Sequence, residues 1–259
     1  MRFRKIALAL FGCVALGAFA ANAAQAAEGD GWTIGTTENQ TSGGTLIPNG
    51  THERVTCKIH GTSSFIFTST LLGAPVELAA AGVDCLERAG STSAATIDNT
   101  TSKGHSEGVL TITGVKVIKP ENCEVPGGEL TTNGVTDEVI MDTTAGSTVV
   151  FDRLFPEVAA NGFLPIEFIG AKCALGGNEA TVKGTVCGES VHTNAGGTAF
   201  ESNKTGTLTK VQTLLFGAAQ QATGNSTAKP CALTFGKEPA QLTGAVDYSL
   251  ASGKPFGAD

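Results

Sequence analysis

GVLTITGVKVI, residues Gly108 to Ile118, is the stretch whose reading decides the fold class. Val109 lies on one face and Leu110 and Ile112 on the other, a two-residue alternation with no helical period beneath it. The same texture recurs in Arg54–His60, Ser63–Leu72, Glu138–Asp142, Ser147–Asp152, Phe163–Ile169, Ala180–Cys187, Gly206–Phe216 and Leu242–Leu250. Turn signals separate these runs: Pro126-Gly127-Gly128, Asn133-Gly134, Ala145-Gly146, Asn161-Gly162 and Gly176-Gly177-Asn178. Only Val76–Ala81 and Glu157–Asn161 read as helix, and both are short. Short strands at this spacing predict an all-β fold, an antiparallel β-sandwich or a jelly-roll-like arrangement.

The first residues place that fold outside the cell. Arg2, Arg4 and Lys5 form a positive start, Ile6 to Ala20 an uncharged apolar stretch, and Ala21-Asn22-Ala23 and Ala24-Gln25-Ala26 two small-x-small cleavage options. That is the grammar of a secretory signal peptide over residues 1–26, and the apolar stretch is short for a membrane span. Cys13 falls inside it; Leu10-Phe11-Gly12-Cys13 loosely resembles a lipoprotein box, but Phe11 is a poor small residue. Residues 27–50 are polar and rich in Gly and Thr, an irregular segment with one short strand near Trp32–Ile34. The β region follows over 51–259, as one large unit or two small ones with a boundary near 190–205.

Six cysteines remain after the leader: Cys57, Cys85, Cys123, Cys173, Cys187 and Cys231. An even count in an oxidising compartment predicts three disulfides. Fifteen pairings are formally open, with sequence neighbours as the first choice. Zinc sites want closely spaced pairs, which this spacing lacks. Loss of the leader leaves 14 basic residues against 24 acidic ones, a net charge of −10. Such a chain repels nucleic acid and anionic membrane surfaces. Charged residues make up only 16 % of it, so the surface is weakly charged, while 41 % apolar residues suffice for a core.

A weak echo links Lys172-Cys173-Ala174-Leu175, ahead of Thr181–Val186, with Pro230-Cys231-Ala232-Leu233, ahead of Gln241–Val246. Gly108-Val109-Leu110-Thr111 likewise matches Gly206-Thr207-Leu208-Thr209. An internal duplication is one reading, and similar strands in a Thr-rich chain the other. The stretch LTITGVKVIKPENCEVPGGELTTNGVTDEVIMD, then VVFD, IEFIGAKCALGGNEATVKGTVCG and the ending ALTFGKEPAQLTGAVDYSLASGKPFGAD, resembles secreted β-rich proteins of soil actinobacteria. The likeness spans most of the mature chain, with loose motifs; the group often carries a cysteine near position 115, where this chain has Val115. That group has no established activity, so the resemblance implies fold and compartment and is silent on chemistry. A fainter likeness, to the secreted activator of alkane oxidation, rests on composition and cysteine layout.

No catalytic residue is assigned from the sequence. A nucleophile elbow is missing at Gly146-Ser147 and Gly90-Ser91, and His52-Glu53 is followed by Arg54-Val55 rather than a second zinc ligand. His52, His60, His105 and His192 stand singly; His52 and His60 facing each other across Cys57 is the best metal guess, and ordinary surface histidines the plainer reading. Asp137, Glu138, Asp142 and Asp152 cluster around two predicted strands, where acids ordinarily face water. A glycosidase pair needs a geometry that sequence does not give. No metal and no cofactor are expected. Trp32 and Tyr248 stand alone beside thirteen Phe residues, too few for a sugar platform, and the Asn-x-Ser/Thr matches at Asn39, Asn49, Asn99, Asn203 and Asn225 follow from Thr richness.

Three function classes stay open. The first is a secreted, non-catalytic structural or interaction protein of the cell surface, with a protein or surface polymer as partner and self-association through sheet edges. The second is a β-sandwich module binding a glycan or small ligand, with unassigned binding residues. The third is an extracellular hydrolase without a recognisable motif. Nucleic acid and a membrane span are not expected.

Overall fold

The computed structural model describes residues 26–28, 31–37, 44–62, 65–99, 104–142, 149–193, 199–204, 206–224 and 231–258. Residues 1–25 of the leader, with Cys13, lie outside these residues, as do Asn39, Asn225 and Gly146-Ser147. The chain is all-β. Its strands are β1 (Ala26–Glu28), β2 (Trp32–Ile34), β3 (Thr45–Leu46), β4 (His52–Ile59), β5 (Phe65–Leu71), β6 (Ala74–Ala80) and β7 (Gly82–Leu86). Next come β8 (Ala95–Asp98), β9 (His105–Thr113), β10 (Lys116–Lys119), β11 (Glu129–Thr131), β12 (Val135–Asp142), β13 (Val149–Pro156) and β14 (Leu164–Glu167). The last are β15 (Glu179–Gly184), β16 (Val186–Thr193), β17 (Phe200–Ser202), β18 (Gln212–Phe216), β19 (Leu233–Phe235), β20 (Glu238–Leu250) and β21 (Phe256–Ala258), with one α-helix among the described residues, α1 (Ala218–Gly224).

The pairings close on themselves. Strands β12, β13, β16, β18, β20, β4, β8 and β9 follow one another, each antiparallel to the next, and β9 pairs back onto β12. This is an eight-stranded closed barrel, which removes most open sheet edge. The all-β, antiparallel class expected from the sequence holds, while strands expected in a sandwich or jelly roll close here into a barrel. A sandwich-like part does exist beside the barrel, where the sheet β10-β6-β5-β20-β19-β15-β14 and the smaller sheet β7-β9-β11 line one apolar interior.

Two strands belong to both parts. The first half of β20 pairs with β19 and β5, the second with β18 and β4, and Gly244 (φ 140°) stands at the handover. Strand β9 divides likewise at Gly108: residues before it pair with β8 and β12, those after it with β7 and β11. A Cβ at Gly108 would stand 2.6 Å from both the Ala95 Cβ and the Leu86 carbonyl oxygen, so this crossing needs glycine. Residues on both sides of 190–205 supply barrel strands.

Several local expectations change. Val76–Ala81 is strand β6, not helix: Val76, Leu78 and Ala80 are buried in alternation, and Leu72 and Gly73, both at positive φ, turn the chain back from β5. Glu157–Asn161 keeps only one 3₁₀ turn, Ala159–Asn161. The run Gly108–Ile118 splits at Gly114 (φ 62°) into β9 and β10. The N-terminal segment keeps its expected strand at Trp32–Ile34 as β2 and adds β3, and β2 pairs with both β3 and β21 in a three-stranded sheet. The sequence echo has no structural counterpart: Cys173-Ala174-Leu175 lies in a turn whereas Leu233 begins β19, and Gly108–Thr111 is strand whereas Gly206–Thr209 is loop.

The three disulfides join sequence neighbours: Cys57–Cys85, Cys123–Cys173 and Cys187–Cys231. The first ties barrel strand β4 to β7 of the sandwich-like part; the second holds the turn after β14 to the loop after β10; the third holds β16 to the approach to β19. Phe235, wholly buried, packs edge-on against Phe67 (5.5 Å) and Phe168 (6.4 Å). Phe235→Ala is expected to cost about 3–5 kcal/mol, read as a lowered urea midpoint with an unchanged slope.

Candidate interior acid site in the barrel

Alternation along the barrel strands decides what faces inward. On β12 the series Val135, Asp137, Val139 points in, and on β13 the series Val150, Asp152, Leu154. Two aspartates therefore enter an otherwise apolar wall from adjacent strands. Asp137 is 4 % exposed and Asp152 3 %. The two carboxyls are hydrogen-bonded to each other, Asp152 donating, and Asp137 also accepts from the hydroxyl and backbone N–H of Ser106, its register partner on β9.

Burial sets the electrostatics. Desolvation raises Asp137 to about 6, against which the Ser106 and Asp152 hydrogen bonds and the charge of His105 work. Asp152 is pushed well above the ordinary carboxylate range, first by burial and then by the charge of Asp137. The pair thus holds a shared proton, centred on Asp152. Arg153, the nearest cation in sequence, points to the opposite face, where it pairs with Glu138 and lies 5.1 Å from the Phe155 ring centroid. Tyr248 on β20 projects into the same interior; burial, followed by the charges of Asp152 and Asp137, keeps its phenol protonated.

A neutral network continues toward the barrel end. Ser190 Oγ donates to Gln212 Oε1 (2.7 Å), while Asn203 Nδ2 donates to Ser190 Oγ (2.9 Å) and Gln212 Oε1 (2.8 Å). Gln212 Nε2 donates to the Phe256 carbonyl (2.5 Å), and His192 Nδ1 to Asn203 Oδ1 (2.9 Å). Trp32 and Phe256, ring centroids 6.0 Å apart, pack over this end. Asn99 holds the covering segment: its Oδ1 accepts from the Trp32 N–H (2.8 Å) and its Nδ2 donates to the Trp32 carbonyl (2.9 Å). Against these satisfied groups, Asp137 Oδ1, Asp152 Oδ1 and Trp32 Nε1 are buried without a hydrogen-bond partner.

The other candidates scatter. His52 and His60 occupy or adjoin opposite ends of β4, and one extended strand of that length keeps them roughly 25 Å apart. His60 Nδ1 lies 2.7 Å from Asp247 Oδ1, which also accepts from the Thr213 hydroxyl (2.8 Å). His105 sits 3.6 Å from Asp98 and from Glu107, and His192 lies 3.5 Å from Glu201. Among the described residues no three His, Cys, Asp or Glu side chains gather as metal ligands. Of the acidic cluster, Glu138 faces out to Arg153, while Asp137 and Asp152 turn inward, contrary to the expectation that these acids face water. The signal was present: each stands two residues from apolar neighbours on both sides, the position of a core residue. No helix among the described residues is long and apolar enough to cross a membrane. Searches of protein-family models, curated proteins and solved structures found no match to this chain.

Proposed function

We propose that the chain is an exported, non-catalytic structural or interaction protein of the bacterial cell exterior. The observation that carries this reading is the set of three disulfides, each tying a different part of one β body. Such bridges persist in oxidising compartments, and the leader-like start of the sequence points the same way. The acid pair supports a structural role, since it faces the barrel interior beneath Trp32 and Phe256 and engages Ser106 and its own partner.

The partner is a protein or a surface polymer. Strand addition has little room: β10 and β14 are four residues long and β17 three, and β10 carries Lys116 and Lys119, a protected edge. Partner contact therefore falls to loops and turn tips such as the β5–β6 turn, where Leu72 is 75 % exposed. Cell fractionation and protease shaving of intact native cells test the reading. Recovery from the medium, or from the surface in a protease-sensitive form, is expected; recovery only from the soluble cell interior contradicts it.

A further inference from the structure

Three cavities adjoin one another inside the fold, and Tyr248 lines all of them. The largest, about 60 Å³, lies between the sandwich-like sheets and the barrel; its walls include Phe65, Leu110, Leu154, Phe216 and Leu242. A second, about 30 Å³, shares Leu110, Leu154 and Tyr248 with the first and adds Ser106 and Asp137. The third, also about 30 Å³, shares Asp137 and Tyr248 with the second and is further lined by Asp152, Lys204, Gln212 and Trp32. At about 10–15 Å³ per water-sized probe, the first two together have room for roughly six to nine such probes. The lining is thus graded, apolar at one end and polar at the other, where the two aspartates and Lys204 stand.

That gradient selects a ligand class. Water is poorly held in the apolar end, where it finds too few partners. An anion is repelled by the carboxyl pair. A neutral hydroxyl fits the middle, because it can accept from the Tyr248 phenol, which lines all three cavities and has no hydrogen-bond partner of its own among the described residues. We propose that the barrel interior is a binding site for a small, mainly apolar molecule bearing one hydroxyl. Its hydrocarbon part occupies the cavity between Phe65, Leu110, Phe216 and Leu242, and its hydroxyl lies against the Tyr248 phenol. The site goes beyond the structural role proposed above and does not depend on it.

Titration calorimetry of the oxidised mature protein with phenol, benzene and benzoate tests the site, with amide chemical shifts to locate binding. Phenol is expected to saturate one site, to shift the amide resonances of Leu110, Leu154 and Tyr248, and to bind about tenfold more tightly than benzene. Benzoate is expected not to bind. Tyr248→Phe, which keeps the ring, is expected to bring phenol down to the affinity of benzene, and its retained benzene binding shows that the variant is folded. Leu154→Phe, between the first two cavities, is expected to weaken both ligands at least tenfold. No saturable binding of phenol or benzene by the native protein at millimolar concentration, or shifts confined to the outer surface, overturns the proposal. Equal phenol and benzene affinities, unchanged by Tyr248→Phe, overturn the hydroxyl assignment.

Discussion

Reduced and alkylated at all six cysteines, the mature chain is expected to be unfolded at 25 °C in conditions where the oxidised protein is folded. The loops closed by the bridges span 28, 50 and 44 residues and follow one another without overlap. Each therefore restricts the unfolded chain independently. In the chain-entropy account each contributes about 4 kcal/mol, together on the order of 12 kcal/mol. A domain of this kind has about 5–15 kcal/mol of net stability, so the three bridges rival the whole of it. Breaking one pair, as in Cys187→Ser with Cys231→Ser, is expected to cost about 2–5 kcal/mol, visible as a lower guanidinium midpoint. A reduced chain that keeps its midpoint would show that the core alone supports the fold.

The second large effect concerns acid. Asp137 and Asp152 are both harder to ionise folded than unfolded, where their carboxyls titrate near the ordinary 3.8. At pH 3 both states hold the protons and the pair has no linkage effect. As pH rises above about 4 the unfolded chain releases protons that the folded one keeps, so stability falls until the folded groups ionise in turn. For Asp137, raised to about 6, the loss is about 3 kcal/mol between pH 4 and pH 7, and the higher Asp152 adds to it in the same direction. The double variant Asp137→Asn with Asp152→Asn is expected to flatten this slope, with higher stability than the native protein at pH 7. Urea midpoints measured from pH 4 to 8 decide the matter: a native profile that rises with pH would mean that the pair is ionised and compensated by a cation.

The fold was legible where it depends on local alternation. Strands such as β4, β5 and β20 follow from side chains two residues apart, and the turns from Gly and Asn. Strand β6 was misread because Glu77, Leu78, Ala79 and Ala80 are good helix formers, and packing against β5 and β10 overrides that preference. Barrel closure leaves no local trace. It rests on β4 pairing with β20, where Val55 meets Leu250, and on β9 meeting β12, contacts fixed only by the assembled core. The interior site was half legible. The alternations Val135-Asp137-Val139 and Val246-Tyr248-Leu250 mark inward positions, but nothing local shows that β12, β13 and β20 share one interior.

The state of the six cysteines in the native protein decides most directly whether the chain is exported and bridged. Intact mass and non-reduced peptide mapping of protein recovered from the native culture measure it. The predicted result is a chain beginning after Ala23 or Ala26, lighter by six hydrogens, with Cys57 linked to Cys85, Cys123 to Cys173 and Cys187 to Cys231. Six free thiols on a chain that keeps its first 26 residues would contradict both the bridged fold and the export that it supports.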